Sequence, residues 1–534
     1  MTIPKLPKNF EDGYTPREKD LLGQIDELVN IVVAQKEEIQ ILKDEIASLK
    51  GQKPKPKIPP SKLEGPKSNG RNKPKTPRGK HSRQKKTDKL KIHNRQRIKP
   101  KSIPKGAIYK GYKKFTVQDI LLRSHNTVYE LERWQLPDGT YITGDLPQEI
   151  QGHFGPQLIV YILHQYHGCR VPEPLLLVQL REIGVKISSG QLNNILSLDK
   201  DSFHQEKDEL LLAGIAATGQ IQADDTRARH FGKNGYATVI GNEFFTSVSS
   251  TNSKSRINFL QVLHGTDPEY LVNEDTANYM ETLKPLNWLK GYIRIHAPKR
   301  AMNRDEWEKF FVEINITSED EVRLVTEAAL FANLIKKGIS RDLGVHADDA
   351  GQFNVFVRSL CWIHEERHYR KIIAFNDEMR EEVEKVCDGI WDLYKGLKEY
   401  KLDPSEIQKT ELTSKFEALF TKKTASPTLN KQLKKTYAKK DKLLRVLERP
   451  CTPLHNNRTE TDVREYVVKR KISGGTRSLE GRRCRDTFVS LKKTCCKLGI
   501  TFWEYLQDRI TGTNEIASLS EIIFQKSNFS PSSS

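Results

Sequence analysis

The chain has 534 residues, enough for roughly three or four domains, and 36% of them are hydrophobic, so it can bury sizeable cores. The formal net charge is +19, no apolar run approaches the roughly 18 residues of a membrane span, and the first residues lack an apolar signal sequence. Seven scattered cysteines give an odd count without framework spacing, which indicates reduced thiols. We therefore expect a soluble, cytoplasmic protein rather than a membrane or disulfide-stapled one.

Residues 1–50 carry a heptad pattern that predicts a coiled coil. The apolar positions alternate in steps of four and three, with Gln35 as the one polar member of the seam. One seam position is always β-branched and the other is mostly leucine, which favours a parallel dimer. A single amphipathic helix packed on the body is the alternative. The apolar positions are Leu21, Ile25, Leu28, Val32, Ile39, Leu42, Ile46 and Leu49.

Residues 51–105 hold most of the positive charge. This segment contains 20 lysines or arginines, two acids and nine prolines, so the rest of the chain is nearly neutral. Proline blocks helix formation and like charges repel, so we expect a disordered basic linker. Such a segment could lie along DNA phosphates, with steeply salt-dependent binding, or could be merely a solvated tether.

Residues 106–210 read as a small β region followed by helices. A Pro137-Asp138-Gly139 turn predicts a hairpin, and helices are predicted at Pro156–Tyr166, at Glu173–Glu182 and from Gln191, with Ser188 or Ser189 as the N-cap. The helices resemble a helix-turn-helix and could bind DNA. An ordinary helical bundle is equally compatible with the pattern.

Strands and helices alternate from residue 211 onwards, which indicates an α/β core. Its first part spans 211–370, a charged helical insertion spans 371–450, and 451–512 returns to the core with further helices. Residues 513–534 read as a frayed tail. The predicted strands are Ile221–Asp224, a hairpin of Tyr236–Ile240 and Glu243–Ser250, Gly344–Ala347, and Leu360–His364.

Two of these strands end in paired acids, Asp224-Asp225 and Asp348-Asp349. Acids at the carboxyl ends of neighbouring strands can converge at one edge of a sheet. Hard cations such as Mg²⁺ prefer oxygen ligands, and two of them can assist displacement at phosphorus. Acid pairs also commonly cap helices or occupy turns, so the spacing alone leaves both interpretations open.

Five blocks in order, between about residues 150 and 510, resemble transposases of the insertion sequence sixty-six family. The first and third carry the two acid pairs, and the fourth resembles the family's Cys-Trp-x-His-x-x-Arg block. The fifth resembles its Asn-Asn-x-x-Glu-x-x-x-Arg helix. The coiled coil and basic linker also resemble the N-terminal region of the family. The blocks are Gln222–Thr226, Ser253–Leu260, Val345–Ala350, Leu360–Tyr369 and His455–Arg464.

The resemblance implies a ribonuclease-H-like core with an Asp-Asp-Glu triad that holds two Mg²⁺ (or Mn²⁺) ions. Carried over to this sequence, the catalytic and metal-binding residues are Asp224, Asp348 and Glu460. Asp225 and Asp349 are then neighbours rather than ligands, and Asp462 is a weaker rival to Glu460.

Basic residues near these blocks are candidates for contact with DNA. Arg464 lies four residues after Glu460, on the same helical face, so it could approach a phosphate or pair with Glu460. Pairing is slightly favoured. The glycine-rich stretch from Gly474 could grip phosphates or form a solvated loop. The candidates are Lys254, Arg256, Arg367, Arg464, Lys469, Arg470 and Arg477.

Zinc is not expected. Cys361 and His364 have no second pair of ligands at suitable spacing, so they read as a packing block. The family often carries an N-terminal cysteine motif, but residues 106–150 contain no cysteine.

The sequence therefore predicts a DDE-type DNA transposase that cleaves element ends and joins them to target DNA as a homodimer or larger oligomer. The alternatives are a nuclease or resolvase of the same fold and a catalytically inactive DNA-binding regulator.

Overall fold

The computed structural model describes residues 91–147, 150, 152–265, 267–283, 287–372, 374 and 377–529. The predicted coiled coil and the part of the basic linker before residue 91 lie outside these residues. The chain divides into two compact units, Met1–Asp119 and Ile120–Ser534. In the first unit, residues 91–119 have neither helix nor strand and are almost entirely exposed.

The second unit begins with a short hairpin and a group of helices. Strands β1 (Arg133–Gln135) and β2 (Tyr141–Thr143) pair antiparallel around the predicted turn. Helix α1 (Pro156–Leu163) continues into a π-helix (His164–Gly168), followed by α2 (Glu173–Glu182) and α3 (Ser189–Ser197). Ser188 caps α3: its hydroxyl accepts from the Gln191 amide, and the Gln191 side chain accepts from the Ser188 amide. This capping box explains why α3 begins where the sequence predicted.

A five-stranded mixed sheet forms the centre of the second unit. Its strands are β3 (Gln220–His230), β4 (Lys233–Gly241), β5 (Thr246–Thr251), β6 (Gly344–Ala347) and β7 (Val357–Leu360). The spatial order is β5-β4-β3-β6-β7; β3, β4 and β5 are antiparallel, and β6 and β7 run parallel to β3. The predicted α/β class is confirmed.

One predicted strand was partly wrong, because Leu360–His364 does not continue as a strand beyond Leu360. The Cys361 amide makes the last bond to β6, and helix α10 (Trp362–Arg370) begins immediately afterwards. Trp362 is fully buried, its amide bonds to Leu454 and its indole bonds to the Leu443 carbonyl. These tertiary bonds turn an apolar run that reads as a strand into the start of a helix.

Helices cover both faces of the sheet. Alternate residues such as Ile221 and Ala223 join the main core, whereas Ala228 packs in a smaller cluster with Tyr466 and Val489. The helices between the strands and the helix before the sheet are α4 (Asp201–Thr218), α5 (Arg256–His264), α6 (Glu274–Thr282), α7 (Asn287–His296), α8 (Arg304–Glu313) and α9 (Glu319–Lys336).

The segment predicted as a helical insertion is helical. It contains α11 (Asp377–Tyr400), α12 (Glu406–Phe420), α13 (Pro427–Tyr437) and α14 (Lys440–Leu443). The chain then returns to the sheet with α15 (Asn457–Ser473), α16 (Leu479–Leu498) and α17 (Phe502–Thr511). No described helix is both long and apolar enough to cross a membrane.

The predicted frayed tail is instead a packed helix, α18 (Leu519–Phe529). Leu519 and Ile523 are fully buried, and the Leu519 amide donates to Glu206 on α4. Glu206 also accepts from Tyr505 and Arg509 of α17. The helix was not predicted because the sequence around Leu519 and Ile523, which anchor the helix to the core, is polar.

Candidate active site

The two predicted aspartates follow matching positions of neighbouring parallel strands. Gln222 of β3 is in register with His346 of β6, and Asp224 and Asp348 each stand two residues further along. Because side chains alternate along a strand, Asp224 and Asp225 point to opposite faces of the sheet. The sheet topology therefore brings both predicted ligands to the carboxyl end of β6. The prediction that the first strand ends at Asp224 was wrong, because β3 continues to His230 through its pairing with β4.

Glu460 comes to the same edge on the first turn of α15. Three hydrogen bonds attach the start of this helix to β3 just before Asp224. Asn456 donates to the Ala223 carbonyl (3.1 Å), Gln222 donates to the His455 carbonyl (3.2 Å), and the Thr459 hydroxyl donates to Gln222 (3.3 Å). The Asn-Asn block thus has a structural role, which is to fix the helix that carries Glu460.

The three carboxylates act on one another electrostatically. The pKa of Asp224 is raised to about 7, mainly by burial; a hydrogen bond from the Asp225 amide opposes the rise, and the charges of Asp348, Asp225 and Glu460 add to it. Negative charges that approach one another in a buried site disfavour ionisation unless a cation is present. The site therefore has an excess of negative charge of the kind that a divalent cation would relieve.

Glu460 also has a histidine and an arginine of α10 as neighbours. Its Oε1 atom lies 3.7 Å from His364 Nε2 and 3.7 Å from Arg367 Nη1, and this buried oxygen has no hydrogen-bond partner among the described residues. Burial lowers the pKa of His364, while Glu460 raises it. Arg464 is exposed and, within the described part of the chain, forms no ion pair with Glu460. The cationic neighbour of Glu460, Arg367, therefore comes from α10 rather than from the helix that carries Glu460.

The neighbouring acids have partners of their own. Asp225 accepts hydrogen bonds from Thr238 and from Gln352, the latter at 2.7 Å. Asp349 pairs with Lys439 at 2.8 Å, and Lys439 also pairs with buried Glu365 at 3.0 Å. These contacts fit the prediction that Asp225 and Asp349 are neighbours of the site.

Asp462, the rival to Glu460, lies in a different environment. It is buried, accepts from the Thr246 hydroxyl at 2.7 Å, and pairs with Lys493 at 3.1 Å and Lys497 at 2.7 Å. These partners hold α15 against β5 and α16. We therefore assign Asp462 a structural role.

The candidate DNA-binding residues have diverse surroundings. Arg464 and Arg477 are exposed, Arg367 and Arg470 are half-buried, and Lys254 lies 5.2 Å from the centre of the Tyr236 ring. Arg256 pairs with Glu327 at 2.6 Å.

Lys469 differs from the other candidates because it is buried. Its ammonium donates to the Tyr166 carbonyl at 2.6 Å and lies 3.6 Å from the centre of the Tyr166 ring. Burial and the nearby cations Arg485, Lys492 and Arg170 lower its pKa to about 7. A buried ammonium group cannot contact a DNA phosphate. The prediction that Lys469 binds DNA was therefore wrong.

Cys361 and His364 occupy the junction between β7 and α10. Cys361 is buried, and burial raises the pKa of its thiol to about 11. His364 faces Glu460 and not a second cysteine or histidine pair. Sequence reasoning missed this contact between His364, Arg367 and Glu460. The signal available was the spacing of His364 and Arg367, which puts both on one face of a helix.

The donor types at this site suit a hard divalent cation, which prefers carboxylate oxygens. The unpartnered Glu460 oxygen and the raised pKa of Asp224 agree with that preference. In the described part of the chain, however, no three side chains of His, Cys, Asp or Glu stand close enough to hold one ion. Loading a cation would therefore require these side chains to come closer together.

An α/β sheet with three interacting carboxylates at one edge defines a candidate carboxylate-dependent site on a positively charged chain. Residues 347–483, which include Asp348 and Glu460, match the family model described as Transposase IS66 family. The chain is also 38% identical over 303 residues to the uncharacterized protein y4jO of Sinorhizobium fredii (strain NBRC 101917 / NGR234), covering 56% of this chain and 94% of that protein. No solved structure matches the chain. The chain belongs to the insertion sequence sixty-six transposase family, and it is therefore a DNA transposase that binds DNA.

Proposed function

We propose that this protein catalyses metal-dependent cleavage and strand transfer of DNA, with Asp224, Asp348 and Glu460 as the catalytic triad. The observation that carries the proposal is that Asp348 and Glu460 both act on Asp224 and help to raise its pKa. The strand order, with three antiparallel strands followed by two parallel ones, supports assigning the core to the ribonuclease-H-like class.

Asp224, Asp348 and Glu460 would hold two Mg²⁺ or Mn²⁺ ions. When bound, such ions activate the attacking oxygen and stabilise the leaving oxygen at phosphorus. The chain's own residues prepare the site: Thr238 and Gln352 hold Asp225 beside Asp224, and the bonds of Asn456 fix α15. Arg367 is half-exposed beside Glu460 and is placed to contact a DNA phosphate.

The chemistry proceeds in two displacements. In the first, water attacks a phosphodiester at the element end, the bond from phosphorus to the 3′ oxygen breaks, and a 3′-hydroxyl is released. In the second, this hydroxyl attacks a target phosphodiester, forming a new bond and releasing a target 3′-hydroxyl. No covalent enzyme intermediate is needed. In each step the attacking oxygen loses a proton and the leaving 3′ oxygen takes one up, with solvent as the carrier.

Action on two element ends requires at least two subunits. The heptads of residues 1–50 would supply a dimer, and the basic segment 51–105 would add salt-dependent DNA affinity. The helices between Pro156 and Ser197 remain the proposed region for recognition of the ends.

The experiment is a strand-transfer assay with a labelled element end, a supercoiled target and Mg²⁺. The proposal expects a cleaved end and a joined product, both absent in EDTA and in the D224N variant. Cleavage without joining would favour the nuclease or resolvase alternative. Binding of the ends without either product would favour the inactive regulator.

A further inference from the structure

Strands β3 and β4 extend well past the rest of the sheet. β6 pairs with β3 only over Gln220–Gln222, whereas the pairing of β3 with β4 continues to His230 opposite Lys233. Residues 226–236 therefore form a projecting ribbon, which we call the outer hairpin. It begins two residues after Asp224, so it leads directly away from the candidate active site.

One face of the outer hairpin is covered and braced. Ala228 and His230 are buried on this face, and His230 Nδ1 lies 2.6 Å from the Thr476 hydroxyl. The Thr476 amide donates to the Arg229 carbonyl (3.0 Å), and the Phe231 amide donates to the Thr476 carbonyl (2.9 Å). A Cβ on Gly475 would stand 2.6 Å from the Arg229 carbonyl oxygen, so only glycine allows this approach. The ribbon is thus held rigidly by the loop after α15.

The other face is open and positively charged. Arg227 and Arg229 are both exposed on it, and Lys254 lies over the ring of Tyr236, the cross-strand partner of Arg227. Asp225 is the acid that precedes them on this face, and its carboxylate already accepts bonds from Thr238 and Gln352. A rigid ribbon with uncompensated cations on its open face is suited to a polyanion.

The tip of the outer hairpin carries an exposed aromatic side chain. Phe231 is 52% exposed and has a φ of 50°, in the left-handed region that a non-glycine residue seldom adopts. The Thr476 carbonyl holds this strained residue through its amide. Exposed lysine and arginine next to an exposed ring is a combination used for phosphate contact and for stacking or insertion at a base step.

We propose that the outer hairpin is a DNA-binding arm, in which Arg227, Arg229 and Lys254 contact the phosphate backbone and Phe231 packs against the duplex. The inference rests on the proposed function, because it takes DNA at the carboxylate site as the substrate. At about 3.3 Å per residue, Phe231 lies about 23 Å along the strand from Asp224. The arginines of the arm lie on the strand face that bears Asp225, opposite Asp224, so the arm would hold flanking DNA up to about seven base pairs from the cleaved phosphodiester.

The test is the salt dependence of duplex binding by the full chain, measured by fluorescence anisotropy in EDTA. In R227A/R229A the slope of log affinity against log salt should fall by about 2, with affinity at least about tenfold weaker. The control R304A/K309A removes two exposed cations from α8 and should bind like the wild type. A slope for R227A/R229A equal to that of the wild type would overturn the proposal.

A second measurement places the tip against DNA directly. Benzoylphenylalanine introduced at Phe231 should crosslink to a bound duplex, whereas the same group at Phe524, an exposed phenylalanine of α18, should not. Equal crosslinking, or none at Phe231, would contradict the arm. Both experiments omit divalent metal, so a failure of the triad appears only in the cleavage assay and can be distinguished from a failure of the arm.

Discussion

The Oε1 atom of Glu460 lies 3.7 Å from Nη1 of Arg367. The glutamate of the proposed triad therefore has a cationic neighbour in the absence of metal, and that neighbour competes with any incoming cation. Arg367 can interact either with Glu460 or with a DNA phosphate, and contact with the phosphate would draw it away from Glu460. If the proposed triad binds metal, we expect DNA binding and metal binding to be coupled through this contact.

We expect Arg367→Ala to lower the Mg²⁺ concentration for half-maximal cleavage by about 2- to 5-fold, because a partly exposed pair contributes up to about 1 kcal/mol. The same variant should reduce the salt slope of DNA binding by about 1, because one phosphate contact is lost. Metal titration at saturating DNA and anisotropy measure the two effects. Arg370→Ala is the control, because Arg370 pairs with Glu366 and not with Glu460. An unchanged Mg²⁺ concentration for half-maximal cleavage in R367A would contradict the coupling.

Glu460 and Asp462 provide a matched pair two residues apart. We expect E460Q to reduce cleavage on the order of 10³-fold, a loss of about 4 kcal/mol in the transition state, with normal folding. D462N should instead lower the free energy of unfolding by about 3–5 kcal/mol, because it leaves Lys493 and Lys497 without their buried partner. Cleavage per folded molecule and urea unfolding separate the two. A thermally normal, inactive D462N would reverse the assignment.

Asp224 and Asp225 form a second matched pair on opposite faces of one strand. D224N should abolish both cleavage and the rise in Tm that Mg²⁺ gives the wild type by binding the folded state. D225N should keep that rise and lose no more than about tenfold in rate, on the order of 1.4 kcal/mol. Its partners Thr238 and Gln352 leave Asp225 no free oxygen for a metal. Equal losses in the two variants would make Asp225 a ligand.

Lys469 gives a prediction about stability and pH. Its folded pKa is about 7, far below the ordinary lysine value of 10.5, so between these values the unfolded chain holds a proton that the folded chain lacks. Stability therefore falls as pH falls from about 10.5 to 7. K469M removes this dependence. The free energy of unfolding of K469M, measured with urea, should therefore rise relative to that of the wild type as pH falls from about 10.5 to 7.

The exposed neighbour Lys471 supplies the control for this measurement. K471M should show no such gain, because Lys471 is exposed and its replacement changes no buried charge. K469M should also leave the salt slope of DNA binding unchanged. A reduced slope would return Lys469 to the DNA interface.

Leu519 tests the helix that replaces the predicted tail. Leu519→Ala should cost about 2–5 kcal/mol, because a fully buried leucine leaves a cavity when it is truncated. Leu402 is 82% exposed, and Leu402→Ala should change stability by no more than about 0.5 kcal/mol. Urea unfolding of both variants is the measurement. Equal, small effects would show that α18 does not contribute to the folded unit.

Much of the local structure follows from sequence because its causes are local. The capping box of Ser188 and Gln191, for example, joins residues three positions apart. The strand assigned to Leu360–His364 failed because Trp362 is held by Leu443 and Leu454, about 80 to 90 residues further along the chain. No local pattern encodes such a partner.

By itself, the sequence determined which residues could carry the chemistry: two acids in or next to neighbouring strands and, through the resemblance to the family, Glu460. Only the tertiary structure decided their surroundings, because these depend on which distant segments pack together. In the folded chain α10 lies beside Glu460, and Asp462 forms ion pairs with two lysines. Lys469 is buried against Tyr166, whereas Arg227 and Arg229 lie on an open face. The sequence gives the charge of a side chain, but the fold decides whether that charge is exposed to solvent, paired with another residue or buried.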